Sequence, residues 1–134
     1  MIPETWTPHR RDDGELVGWI RPDGDEWVAI DLLGRPASAS VDWLEAEATL
    51  EERGLAWLGE VWMLERADHD PVRVRLVEVT PGAEGEAGRV VVHTDDFGDI
   101  KAPVERFELP WPAPGVLRLR RADDPDGRVW PARR

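Results

Sequence analysis

His93, Asp95, Asp96 and Asp99, at the end of an apolar run, form the densest set of chemistry-bearing side chains in this sequence. An imidazole with several carboxylates suits a hard or borderline divalent ion, Mn, Mg or Zn, and such an ion can polarise an ester or activate water. On a strand His93 and Asp95 project to the same side, and a reversal at Gly98 would bring Asp99 back toward them. The same acidic residues also make an ordinary solvated turn, with Asp95 or Asp96 bonding local backbone. A metal-binding protein or metal-assisted hydrolase is therefore one reading of the chain, set against a blander one.

The remaining inventory for catalysis is thin. The chain has no Cys, Tyr, Asn or Gln, its one Lys is Lys101, and its only serines are Ser38 and Ser40. Thiolate and phenol chemistry are excluded by composition, a Schiff base could come only from Lys101, and a serine nucleophile only from Ser38 or Ser40. His69 between Asp68 and Asp70 reads as an exposed turn residue, and His9 lies in a polar lead-in. Glu60 and Glu78 sit among apolar strand residues, so an inward-facing one would be a buried carboxylate with a perturbed pKa. The alternative is the solvent face or a cross-strand pair with Arg73 or Arg75. Gly82, Gly85 and Gly88 recur at a spacing of three, but Glu84 and Glu86 among them rule out a phosphate cradle. No P-loop, dinucleotide fingerprint or nucleophile elbow is present.

Charge narrows the partners. The net charge is −11, unevenly placed: from Pro110 onward six Arg face three Asp, leaving 11 cations against 25 anions before it. A body of that sign repels phosphate backbones, which excludes nucleic acid. No apolar stretch approaches the roughly 20 residues that span a bilayer, so no membrane partner is expected. Without cysteine or a secretory pattern, the expectation is a cytoplasmic, soluble protein.

Eight tryptophans are the surplus in this composition. Most should be core. Trp57 and Trp62, five apart, point to opposite faces of a regular strand, so one is exposed unless both faces are covered. Trp43 lies on a helix. An exposed patch of Trp43, Trp57 and Trp62 rimmed by acid would suit a basic protein or peptide, or self-association.

The elements follow from pattern and punctuation. Residues 1–14 are polar and proline-broken, an irregular segment whose Trp6 tucks against the body. Glu15 to Arg21 and Glu26 to Leu32 flank Pro22 to Asp25 as a hairpin. A helix spans Val41 to Arg53, with Ser40 or Asp42 as N-cap and Gly54 as the left-handed stop that returns Leu55 onto Leu50. Its apolar residues form two stripes, Val41, Leu44 and Ala48 opposite Trp43, Ala46 and Leu50. Strands Ala56 to Arg66, Val72 to Thr80 and Arg89 to Thr94 follow, with a bulge near Leu76 or Val77 where the alternation changes phase. Arg106 to Leu109 and Val116 to Arg120 could add short edge strands. The expectation is one α+β domain over residues 15–120, order β-β-α-β-β-β, with one curled or barrel-like antiparallel sheet of five to six strands, and a flexible basic tail at 121–134.

The stretch Gly54 to Glu65, the strand Val72 to Val79 and the segment His93 to Gly98 resemble small acidic proteins of high-GC, actinobacteria-like genomes with no assigned function. That resemblance carries no catalytic residues. The leading expectation is a non-enzymatic protein-interaction or regulatory domain without a cofactor. The alternatives are the metal reading and a small-ligand carrier with a Trp-lined pocket.

Overall fold

The computed structural model describes residues 2–82, 86–94, 104–122 and 124. Among them are one α-helix and eight strands in two antiparallel sheets. The strands are β1 (Thr7–Arg10), β2 (Leu16–Asp23), β3 (Glu26–Asp31), β4 (Trp62–Arg66), β5 (His69–Thr80), β6 (Arg89–Thr94), β7 (Arg106–Pro110) and β8 (Leu117–Leu119). The first three form one sheet in the order β1-β2-β3, and the rest form the second in the order β7-β6-β5-β4-β8. The single curled sheet expected from sequence is thus replaced by two, and among the described residues neither closes into a barrel.

The reason lies in β2 and β3. Ile20 and Ala29 pack with Val17, Ala46 and Leu50 on one side, while Trp19, Val28 and Ile30 pack with Trp62, Val74, Val90, Val92 and Leu117 on the other. A sheet that is apolar on both faces needs two covers. Helix α1 (Trp43–Arg53) supplies one and the five-stranded sheet supplies the other, giving three layers with the larger core between the sheets. Trp19 meets Trp6 at a tilt and Trp111 edge-on in that core, at centroid distances of 6.1 and 5.6 Å. The lead-in expected to be irregular instead supplies β1, paired with β2.

Glycine matters at two approaches. Gly18 has φ 154°, and a Cβ there would stand 2.1 Å from the Ile30 carbonyl oxygen and 3.0 Å from the Leu50 side chain, where α1 lies on β2. Gly34, at φ 81°, faces Pro112 and Trp111 at 2.8 and 3.0 Å, where the loop after β3 meets the segment before β8.

Helix α1 starts where Asp42 accepts the Glu45 amide at 2.7 Å, which decides the N-cap against Ser40. It stops at Gly54, whose N–H donates to Leu50 O at 2.9 Å, and Leu55 packs into the same cluster as Leu50. The β5–β6 register shifts between Leu76 and Glu78, so Val77 is the bulged residue. Residues 56–59, expected as strand, form a single 3-10 turn, Ala56–Gly59, and the strand begins at Trp62.

Candidate functional site

On β6, His93 stands opposite Arg75 of β5 and Arg106 of β7, and directly paired residues in an antiparallel sheet share a face. Its Nδ1 lies 2.9 Å from the Thr94 carbonyl oxygen. Asp95, Asp96 and Asp99, the carboxylates expected to complete a metal set, lie outside the described residues. Among the described residues no group of three or more His, Asp or Glu side chains could hold a metal ion. The directly paired neighbours of His93 on its own face are the cationic residues Arg75 and Arg106.

The three tryptophans expected at a partner surface divide. Trp62 is 1% exposed, its indole inside the inter-sheet core, so it offers no surface to a partner. Trp57 sits in the 3-10 turn rather than on a strand. Its ring meets Trp62 edge-on at 5.8 Å, its indole N–H donates to Gly54 O at 2.9 Å, and Arg53 lies 5.0 Å over it. The face argument from a five-residue spacing fails because the strand starts only at Trp62. Trp43 is half-buried, locked edge-on against Trp27 at 4.9 Å.

The two stripes of α1 divide as well. Ala46 and Leu50 are buried with Trp43 against the sheet, whereas Leu44 is 74% exposed and Ala48 is exposed with it. No second layer covers this stripe among the described residues, and the exposed Glu45 and Glu52 adjoin it. Glu51 and Glu47 turn toward β1, where His9 lies between them with Nε2 2.9 Å from Glu51 and Nδ1 3.6 Å from Glu47.

Searches against protein-family models, curated proteins and solved structures return no match.

Beside Trp57 runs an open groove of about 580 Å³, lined also by Glu60, Val61, Leu119 and Arg120, with Leu119 47% exposed. Glu60 is therefore a solvent-side residue. Glu78 is not buried in the core either: Arg89 donates to both its carboxylate oxygens at 2.9 and 3.1 Å, and with the Thr80 hydroxyl holds its pKa below the ordinary value. Its partner is Arg89 rather than Arg73 or Arg75.

One polar constellation was missed in the sequence. Asp31, at the end of β3, is 3% exposed, and burial pushes its pKa up. Its Oδ1 accepts the Leu33 and Arg35 amides at 2.9 and 3.2 Å, and Oδ2 accepts from Arg53 at 3.1 Å. Arg35 then reaches the second sheet, donating to Leu117 O at 2.7 Å and Pro114 O at 3.3 Å. With both oxygens of this carboxylate engaged by its own chain, the cluster serves as a joint between layers. The signal available was an Asp ending an apolar strand just before Leu33 Gly34, the place for a side chain that caps its own turn.

Proposed function

We propose that this chain is a non-enzymatic protein-interaction domain, working without a cofactor, that presents the outer face of α1 to a basic protein or peptide. The reading rests on Leu44, a large aliphatic side chain 74% exposed on a helix whose opposite stripe is committed to the core. Glu45 and Glu52 beside it suit a cationic partner, and the net charge of −11 favours encounter with one. No helix among the described residues is long and apolar enough to cross a membrane. The test is recovery of bound proteins from a lysate by the parent chain and by Leu44→Asp at equal thermal stability. Species held by the parent and lost by the variant support the reading, and an identical set from both overturns it.

The Trp57 groove supports a second reading, a small-ligand carrier, because its volume lies in the ordinary range for ligand sites. Titration of candidate ligands against tryptophan emission, repeated with Leu119→Glu, separates this reading from the first. Metal-assisted hydrolysis at His93, Asp95, Asp96 and Asp99 competes with both, although the residues paired with His93 on the sheet are the cationic Arg75 and Arg106. A Mn²⁺ titration of assigned amides that leaves His93 to Asp99 unbroadened rejects it.

A further inference from the structure

Of the four sheet edges, two are sealed by the chain's own groups. Outside β3, Trp27 and Val41 exchange hydrogen bonds at 2.7 and 2.8 Å, Ala37 donates to Ala29 O, and the Ala29 amide donates to Ser38 Oγ. Outside β8, Arg35 donates to Leu117 O at 2.7 Å and Arg118 to Leu119 O at 3.3 Å, so guanidinium groups occupy the carbonyls an added strand would need. The third edge, β1, is four residues long, contains Pro8 and shifts register after His9. Only β7 is left as a regular edge, and nothing among the described residues pairs with its outer side.

The direction of its backbone groups follows from register. Thr94 N donates to Glu105 O at 2.9 Å, and His93 stands opposite Arg106. Hydrogen-bonded pairs alternate along an antiparallel ladder, so Phe107 and Leu109 bond to β6, while the N–H and C=O of Arg106 and Glu108 point outward.

We propose that β7 is the interface of a homodimer, in which two copies join edge to edge about a twofold axis through Phe107 and extend the five-stranded sheets into one. The outward groups allow few antiparallel registers. Centring on Arg106 sets arginine against arginine. Centring on Glu108 sets glutamate against glutamate and Arg106 against Pro110, which has no N–H to give. Centring on Phe107 sets Arg106 against Glu108 of the partner subunit on both sides of the axis. Each such pair exchanges both backbone hydrogen bonds and joins opposite charges. The half-buried Phe107 rings then meet across the axis on the inner face, continuing the core. Pro110 falls opposite the partner's Val104, at the end of the ladder, where a missing donor costs least. The arrangement is isologous and self-limiting, and it is independent of the α1 face.

The test is sedimentation velocity on the full chain over a wide concentration range, with amide hydrogen exchange alongside. The parent should dimerise, and the Arg106 and Glu108 amides should gain protection as concentration rises while that of Leu119 does not. Glu108→Arg sets like charges across the axis and should weaken the dimer by about tenfold or more. The double variant Arg106→Glu, Glu108→Arg recreates the pairs with signs exchanged and should restore it. That restoration separates the inter-copy pair from the Arg89 contact Glu108 makes at 3.7 Å within its own chain. A parent monomeric at every concentration, a dimer indifferent to Glu108→Arg, or a double variant no better than the single one would overturn the proposal.

Discussion

Arg53 donates to the Asp31 carboxylate at 3.1 Å, fastening the last turn of α1 to the end of β3. The contact is asymmetric in environment, since the Asp31 side chain is 4% exposed and that of Arg53 is 37% exposed. Removing the buried partner should cost more than removing the wet one. Asp31→Ala leaves the Leu33 and Arg35 amides without their acceptor and should destabilise by about 3 kcal/mol. Arg53→Ala takes one partner from a carboxylate that keeps both amides and should cost about 1–2 kcal/mol. Urea denaturation of both variants checks the order, and equal losses would contradict it.

Arg118 ties Glu65 and Asp124 to β8, donating to Asp124 at 2.7 and 2.8 Å and to Glu65 at 2.7 Å. The guanidinium holds the Asp124 pKa well below the ordinary carboxylate range. A carboxyl more acidic in the folded than in the unfolded chain contributes stability that is complete above its unfolded pKa of about 4 and drains away as pH falls through the folded value. Stability should therefore decline with acidification below about pH 4. In Asp124→Asn that part of the slope should vanish and neutral-pH stability should drop. Thermal melts from pH 2 to 7 supply the comparison.

Trp62 and Leu44 make opposite predictions from similar hydrophobicity. Trp62→Ala empties a fully buried site in the inter-sheet core and should cost about 3–5 kcal/mol. Leu44→Asp changes a side chain in water and should stay within about 0.5 kcal/mol of the parent. Chemical denaturation distinguishes them, and a large loss at Leu44 would mean that its stripe is covered after all.

Gly14 and Gly34 share a left-handed backbone, at φ 88° and 81°, but not their surroundings. A Cβ on Gly14 meets nothing within 4 Å, whereas on Gly34 it meets Pro112 at 2.8 Å and the Trp111 ring at 3.0 Å. Alanine at Gly14 should cost about 1 kcal/mol of backbone strain, and at Gly34 at least about twice that. The melting temperatures of the two variants measure the difference.

Local chemistry was legible in the sequence wherever it was sufficient. Pro22 to Asp25 marked its hairpin, Gly54 marked the helix end, and the phase change after Leu76 marked the bulge, because each depends on residues a few positions apart. The second sheet is also written there, in the unbroken apolar runs of β2 and β3, which a single curled sheet under one helix would leave half uncovered. Segment β1 stayed hidden because Thr7, Pro8 and Arg10 carry no apolar alternation, and Trp6 and the His9–Glu51 contact hold it from its flanks. For the site, the second apolar stripe with Leu44 and Ala48 was visible from helical period, but which stripe faces solvent was not. The burial of Trp62 beneath Trp19, Val28 and Ile30, and the Arg53 contact at Asp31, depend on partners more than 20 residues away in sequence, where spacing is silent.

Arg35 finds its acceptors 79 and 82 residues downstream, at Pro114 and Leu117. On a ribosome adding roughly 5–20 residues per second, Arg35 is made roughly 4–16 s before those carbonyls. Within that interval β4, β5 and β6 are made and can cover the Trp19, Val28 and Ile30 face, so the two layers meet before Arg35 can lock them, and the guanidinium acts as a late latch on a sandwich already closed.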